Sequence, residues 1–168
     1  TLDSEDYFPN PEPAGSDTAQ ALPSGPTYAT ANYQRLVVAA LHSAQDHVTI
    51  TTPYLVPDEA FLQAVEVALL RGVAVEIVTP EHYDKLLVGE ASKSYYEELL
   101  QYGARVYLYR GGVLHAKSMT VDNTIGLFGS SNFDIRSFVL NFELNLVLYG
   151  SKETESLRAL QRTYMDQS

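Results

Sequence analysis

The feature that most constrains the fold is an alternation of strand-like and helix-like segments that begins after residue 26. Two segments rich in β-branched residues are typical of buried strands, "HVTITT" at 47–52 and "VAVEIVT" at 73–79. Between them lies an amphipathic helix pattern with Asp58 as its N-cap and Gly72 at its end. Another helix pattern precedes the first strand. Strands that are joined through helices favour parallel pairing with right-handed crossovers.

The second half of the chain shows a different pattern, in which strand-like segments follow one another through short turns. A helix pattern that ends at Gly103 precedes them, and a last helix pattern begins near Lys152. Directly after the helix pattern that ends at Gly103 comes the next strand-like segment of the alternation, "ARVYLYR" (104–110), and three more follow it, "HAKSMTV" (115–121), "TIGLFG" (124–129) and "FELNLVLY" (142–149). Strands connected by short turns favour antiparallel pairing. We therefore predict the α/β class, with a mixed β-sheet flanked by helices.

Residues 1–26 show no apolar period and are rich in Pro, Ser, Gly and acidic side chains, with five acids and no base. This composition predicts a linker, followed by one folded domain over residues 27–168. The chain begins at Thr1 rather than at methionine, and the last helix pattern reaches Ser168 without a stop signal. We therefore expect a piece cut from a longer protein, in which a membrane anchor would lie elsewhere.

Composition excludes several classes of function. The chain has no cysteine, which rules out a disulfide framework and thiolate zinc sites. A net charge of −10 without a basic stripe weighs against nucleic acid as a partner. The longest apolar run, Leu36 to Leu41, is too short to span a bilayer, so this piece is expected to be soluble. No metal or other cofactor is predicted, because the histidines are scattered rather than set at ligand spacing.

One short segment, "LHAKSMTVDNTIGLFGSSNFD", concentrates side chains that are suited to chemistry. In a regular strand the side chains alternate, so His115 and Lys117 share a face while Asp122 falls on the opposite one. Ser130 and Asn132 are again two residues apart and follow the next strand pattern. If the two strands form a hairpin, these two side chains return towards the His-Lys pair.

These side chains favour an anionic substrate. Imidazole can act as a nucleophile or as an acid and base near pH 7, and Lys, Ser and Asn side chains donate hydrogen bonds to negatively charged oxygens. Glu143 opens the next strand pattern and could orient an imidazole. Together they indicate attack on a phosphoryl group without a metal. The alternative is that His-x-Lys is a solvated surface and Gly-Ser-Ser-Asn an ordinary turn. Chance is a weaker explanation for both segments at this distance from each other than for His-x-Lys alone.

The remaining candidates have weaker signals. Tyr54 follows a strand pattern, at the position where α/β sheets place ligand contacts, although a tyrosine that bridges core and solvent is an equal alternative. His42 and His47 flank a helix pattern and are interpreted as capping or surface residues. His82 follows a strand pattern and is interpreted as a loop residue that could also line the rim of a pocket.

These residues resemble the signature of the phospholipase D superfamily, which is His-x-Lys-x4-Asp followed by a Gly-Ser or Gly-Thr turn and an asparagine. "HAKSMTVD" matches that core throughout, and "GSSNFD" matches the turn. Longer segments, among them "TPYLVPDEAFLQAV" and "SSNFDIRSFVLNFELNLVLYG", resemble the C-terminal half of bacterial cardiolipin synthases. The resemblance covers roughly residues 21–150 and implies a phospholipase D-like half-domain.

The resemblance also implies a role for each motif residue. His115 would be a catalytic histidine that Glu143 orients, and Lys117 and Asn132 would be phosphate ligands, with Ser130 as a further polar ligand. The motif's aspartate, Asp122, would be held away from the substrate. Enzymes of this family use two such motifs, whereas this sequence contains one. The second would come from a missing N-terminal half.

The implied activity is that of a phosphatidyltransferase that makes cardiolipin from two phosphatidylglycerol molecules through a phosphohistidine intermediate. His115 is assigned as the general acid and base, and the full-length protein is expected at the bacterial cell membrane. Two alternatives stay open. One is a single-motif phosphodiesterase, phospholipase D or nuclease that completes its site as a homodimer, and the other is a non-catalytic scaffold domain.

Overall fold

The computed structural model describes residues 17–168, together with Glu12 and Gly15. Strands form over Thr18–Ser24 (β1), His47–Thr51 (β2), Leu55–Val56 (β3), Ala74–Pro80 (β4), Arg105–Tyr109 (β5), Ser118–Val121 (β6), Ile125–Gly129 (β7), Phe133–Asp134 (β8) and Glu143–Tyr149 (β9). Helices form over Asn32–Ser43 (α1), Glu59–Leu70 (α2), Leu86–Ser94 (α3), Tyr96–Tyr102 (α4), Ile135–Val139 (α5) and Ser151–Met165 (α6).

Seven of the strands form one mixed sheet in the order β1-β9-β7-β6-β2-β4-β5. Strands β2, β4 and β5, which are joined through helices, pair in parallel. Strands β6, β7 and β9 pair antiparallel with their neighbours, and β6 joins the two parts by pairing with β2. The predicted α/β class with a mixed sheet is confirmed, and so is the division into a parallel and an antiparallel part.

The apolar faces of α1 and α2 pack together on one side of the sheet and form the core with the side chains of the strands beneath them. Val37 and Leu41 of α1 are four residues apart, as are Phe61 and Val65 of α2, and all four side chains are fully buried. Burial of each such side chain contributes roughly 1.5–3 kcal/mol. The predicted cap of α2 is confirmed, because Asp58 accepts a hydrogen bond of 3.0 Å from the backbone N–H of Phe61.

The opposite side of the sheet is covered by α6, which holds it through a buried polar contact. Gln161 is fully buried and donates hydrogen bonds of 3.1 Å to the carbonyl of Thr49 and to the hydroxyl of Ser118. Its side-chain oxygen accepts a third hydrogen bond, of 2.8 Å, from Thr120. One side chain of α6 therefore fixes the spacing of β2 and β6.

The predicted linker over residues 1–26 is wrong in its last part, because Thr18–Ser24 forms β1. This strand pairs antiparallel with β9 at the edge of the sheet, and most of its side chains are exposed. An edge strand with exposed side chains needs no apolar period, which is why composition alone did not predict it. The earlier residues of the predicted linker lie outside the described residues, apart from Glu12 and Gly15.

Several further elements differ from the prediction. The single helix expected over residues 92–103 is divided at Tyr95 into α3 and α4. The strand expected from His115 begins only at Ser118. A small parallel sheet of β3 and β8 and the short helix α5 were not predicted. No helix in the described part of the chain is long and apolar enough to cross a membrane.

Candidate active site

The pairing of the strands brings the motif residues to one edge of the sheet. Thr51, at the end of β2, pairs with Ser118 at the start of β6, and Ser118 pairs with Phe128 near the end of β7. Gly129 in turn pairs with Asn145 near the start of β9. The segments beyond these positions therefore meet at the carboxyl ends of the parallel strands, where open α/β sheets place ligand sites.

His115 and Lys117 are in direct contact at this edge. The ammonium Nζ of Lys117 lies 3.0 Å from Nδ1 of His115 and donates a hydrogen bond of 2.7 Å to the carbonyl of the same residue. Burial lowers the pKa of Lys117, and the charges of Glu143 and Asp134 act in the opposite direction. His115 itself is exposed, and its ring meets the ring of Tyr54 edge-on, with centroids 6.5 Å apart.

Asp122 lies at the other end of β6 and has a structural set of partners. Its carboxylate accepts hydrogen bonds of 3.0, 2.9 and 3.0 Å from the backbone N–H groups of Gln45, Asp46 and His47. Burial alone would raise the pKa of Asp122, but these backbone hydrogen bonds outweigh it, and the pKa is lowered. The sequence predicted that Asp122 faces away from His115 on one regular strand, but no regular strand begins at His115. The separation instead comes from the length of β6, which puts Asp122 beyond its far end.

Glu143 is surrounded by three donors at the site. Ser130 Oγ lies 2.5 Å from Glu143 Oε2, and the side chains of Ser137 and Asn141 each donate to Oε1 at 3.2 Å. The predicted hydrogen bond between Glu143 and His115 is not among those formed by the described residues. Glu143 instead accepts from Ser130 and acts on Lys117 through its charge, so its role as the orienter of His115 stays a prediction.

Asn132 carries an unpaired acceptor. Its backbone N–H donates a hydrogen bond of 3.1 Å to Ser137 Oγ, whereas its side-chain oxygen is buried and has no hydrogen-bond partner among the described residues. A buried polar atom without a partner costs about 1–3 kcal/mol. Asn132 also lines a cavity of about 440 Å³ together with Tyr54. Asn132 therefore lies in the wall of this cavity, and it is through its amide N–H groups that it could bind an anionic ligand there.

Tyr54 separates this cavity from a second one of about 420 Å³, which His115 and His82 line. The hydroxyl of Tyr54 donates a hydrogen bond of 2.6 Å to Asp84, and this bond raises the pKa of Tyr54 to about 12. His82 is exposed beside Glu81 on the rim of the second cavity.

The other two histidines lie away from the site. His42 is near the end of α1 and His47 begins β2, at the opposite edge of the sheet. Burial lowers the pKa of His47. His47 lies beside Asp122, and neither position brings an imidazole near His115 or Lys117.

Several residues at the site were not predicted. Asp84 binds Tyr54, and Ser137 and Asn141 bind Glu143, but these three residues lie in loops or in a five-residue helix. The local signal for Ser137 is the sequence "DIRS", in which Asp134 caps α5 by accepting a hydrogen bond of 2.7 Å from the Ser137 N–H. No comparable signal marks Asp84, because its contact with Tyr54 depends on the loop after β4.

A family model described as "Cardiolipin synthase, PLD-like domain" matches residues 37–163. The chain belongs to this family. It is 38% identical to cardiolipin synthase A of Buchnera aphidicola, over 91% of this chain and 32% of that protein. It is 39% identical to cardiolipin synthase A of Klebsiella pneumoniae, over 94% of this chain and 32% of that protein. The chain thus spans about a third of the length of these curated relatives.

Solved structures support the fold of this family member. The phospholipase D family member Nuc from Salmonella typhimurium aligns with a TM-score of 0.75 and 23% identity, over 90% of this chain and 96% of that one. The phosphatidylserine synthase from Haemophilus influenzae aligns with a TM-score of 0.68 and 17% identity, over 92% of this chain and 40% of that one. At these identities the likeness shows a shared fold, which confirms the predicted phospholipase D-like architecture.

Proposed function

We propose that the chain is the C-terminal catalytic half of a phosphatidyltransferase that makes cardiolipin from two phosphatidylglycerol molecules. The observation that carries the proposal is the contact of His115 with Lys117, at the sheet edge where Ser130, Asn132 and Glu143 also lie. An imidazole beside several donors suits a phosphodiester, and the membership of the cardiolipin synthase family supports this substrate class. The half-domain begins at β1 in this proposal, rather than at residue 27.

In the first step, the histidine of the missing motif attacks the phosphorus of the donor lipid. A P–N bond forms while the P–O bond to the departing glycerol breaks, and His115 gives that glycerol oxygen its proton. Lys117 and Asn132 donate to the non-bridging oxygens, where negative charge develops. Such donors stabilise the transition state more than the ground state, which is the origin of the rate gain.

In the second step, the hydroxyl of the second phosphatidylglycerol takes over the phosphatidyl group. His115 accepts the proton of this hydroxyl, the new P–O bond forms, and the P–N bond breaks to release the other imidazole. Glu143 keeps Ser130 in place and its charge favours the protonated form of Lys117 through both steps. The membrane surface would supply both lipids to the full-length protein, and the missing N-terminal half would supply the second motif.

The test uses the full-length protein that contains this chain and a phosphatidyl donor with a p-nitrophenol leaving group. That leaving group needs no protonation, so His115→Ala should still release p-nitrophenol and form the phosphohistidine, whereas transfer to phosphatidylglycerol should be slow. With natural phosphatidylglycerol vesicles, His115→Ala should make no cardiolipin. His42→Ala, an exposed histidine away from the site, is the matched control. Normal cardiolipin formation by His115→Ala would overturn the proposal.

A further inference from the structure

The cavity that Asn132 and Tyr54 line is amphipathic. Two of its residues are basic, Lys85 and Arg136, and both are exposed. Much of the remaining wall is apolar and consists of Val56, Leu87, Val88, Ala91 and Ile135. A wall with cations on an apolar background matches a ligand that joins an anion to hydrocarbon.

The two cations of this cavity are available to a ligand. Neither Lys85 nor Arg136 forms a salt bridge with a carboxylate in the described part of the chain, and Lys85 Nζ lies 5.7 Å from the centre of the Tyr54 ring. The acidic residue in the wall, Asp134, is committed to capping α5 through Ser137. The residues that line the cavity therefore carry two positive charges against one negative charge, and the Asp84 carboxylate lies behind Tyr54, near Lys85.

We propose that this cavity binds the phosphodiester of the acceptor phospholipid, the one that is not cleaved. Lys85 and Arg136 bind its oxygens, and Leu87 and Ile135 contact its acylglycerol part. This inference rests on the proposed function, because the second step requires two phosphodiesters at once. The site of Lys117 holds the phosphoryl group that is transferred, so the acceptor's own phosphate needs a separate place.

The position of the cavity fits this role. Asn132, the proposed ligand of the reacting phosphoryl group, belongs to its wall. The phosphate and the attacking hydroxyl of phosphatidylglycerol are separated by one three-carbon glycerol, so the acceptor phosphate must lie beside the reacting phosphorus. The acceptor hydroxyl then forms the new P–O bond as the P–N bond breaks, and its proton passes to His115.

The apolar residues favour a lipid phosphate over a small soluble one. Leu87 is 85% exposed and Ile135 is 48% exposed, and exposed side chains continue from Ile135 along α5 and beyond it to Val139 and Leu140. Hydrocarbon chains that leave the cavity can cover this surface and remove it from water. Inorganic phosphate or free glycerol phosphate would gain nothing from it.

The test measures the choice between two acceptors by the full-length protein that contains this chain. Labelled phosphatidylglycerol vesicles are incubated with ethanol, so that cardiolipin and phosphatidylethanol form from the same intermediate. The double variant Lys85→Gln, Arg136→Gln should lower the ratio of cardiolipin to phosphatidylethanol by about ten-fold or more, because hydrogen bonds to a charged phosphate are lost. The ratio does not depend on how much of the enzyme is folded.

The control is the double variant Arg105→Gln, Lys152→Gln, which removes the same two charge types outside both cavities and should keep the wild-type ratio. Lys85 and Arg136 are also changed to Gln singly. Arg136→Lys should have a higher ratio than Arg136→Gln, because lysine keeps the positive charge. A wild-type ratio in the cavity double variant would overturn the inference. A wild-type protein that makes neither product would instead overturn the proposed function, and the inference with it.

Discussion

The ammonium of Lys117 lies 3.0 Å from Nδ1 of His115, although both residues precede the strand that was expected to align them. Their proximity follows from the loop that enters β6 at the edge of the sheet. The imidazole and the ammonium thus form one polar unit beside Tyr54, where a phosphodiester oxygen could bind both.

The substitution Lys117→Ala in the full-length protein should reduce the single-turnover rate strongly. Loss of one donor to developing charge typically lowers the rate about 10²- to 10³-fold. The thermal midpoint should change little, because Lys117 is only partly buried. Rapid-quench kinetics and calorimetry measure the two quantities, with Lys93→Ala, an exposed lysine on α3, as the control. A wild-type rate for Lys117→Ala would remove Lys117 from the proposed site.

The substitution Asp122→Ala should have the opposite profile. It removes the acceptor of three backbone N–H groups, two of them exposed and the one of His47 partly buried, so the total cost is on the order of 1–3 kcal/mol. We expect a clear fall in the thermal midpoint and a near-normal rate for the folded fraction. If Asp122→Ala keeps wild-type stability and loses activity as deeply as Lys117→Ala, Asp122 has a direct role in the chemistry.

Stability should fall at acid pH through Asp122. Its pKa in the folded state is lowered by backbone hydrogen bonds, which outweigh the effect of burial. The associated stabilisation is present above the ordinary Asp pKa of about 3.9 and disappears as the pH falls through the lower, folded value. Thermal midpoints measured from pH 7 to pH 2 should drop more steeply for the wild type than for Asp122→Asn. Parallel curves for the two proteins would contradict this origin of acid lability.

The substitution Glu143→Gln should shift the alkaline limit of activity. Burial lowers the pKa of Lys117, and the charge of Glu143 partly offsets this effect. Without that charge the pKa of Lys117 falls further, so its protonated form is lost at lower pH. The alkaline limb of kcat/KM against pH should therefore move to lower pH, whereas Glu155→Gln, an exposed acid on α6, should leave it in place. An unmoved limb in Glu143→Gln would separate Glu143 from Lys117.

Chelators should not affect the chemical step. The described part of the chain contains no group of three or more His, Asp or Glu side chains placed to bind a metal, and the proposed steps use protein donors only. Turnover of the full-length protein with and without EDTA tests this expectation. Activity that disappears with EDTA and returns with one specific metal would contradict it.

The 168-residue chain alone should fold but form little or no cardiolipin, because it contains one motif and the proposed reaction uses two imidazoles. Size-exclusion chromatography combined with a vesicle assay measures both properties on one sample. Cardiolipin formation by a monomer would contradict the two-motif mechanism. Phosphodiester hydrolysis by a dimer would favour a single-motif homodimeric enzyme.

Sequence patterns predicted those parts of the fold that depend on local apolar periodicity. The helices on the core side and the central strands have such a period. The sequence predicted that these elements exist and, for the strands, whether they pair parallel or antiparallel. Strand β1 has no such signal, because its hydrogen bonds come from β9, more than a hundred residues away in the chain. Helix α5 is short and depends on the cap provided by Asp134. To predict α5 from the sequence, the capping residue Asp134 would have to count for more than the absence of an apolar helical period.

The site shows the same division between local and distant signals. Offsets along the chain suffice to select His115 and Lys117, because the two residues are neighbours in sequence. Spacing could not show that Glu143 binds Ser137 and Asn141, since these contacts depend on how α5 folds back before β9. Spacing also separated Asp122 from His115 for the wrong reason. It assumed a strand that begins at His115, whereas β6 begins at Ser118, which pairs with Thr51.

The buried amide of Gln161 has a consequence for how sequence variation should be tolerated. Helix α6 is otherwise mostly solvent-facing, and Thr154 is the only other buried residue along it. Saturation mutagenesis scored by growth should thus find a permissive helix with two intolerant positions, Thr154 and Gln161, of which Gln161 tolerates least. Loss of function at Gln161 would be misattributed to a remote ligand site, although its origin is the spacing of β2 and β6 beneath the motif.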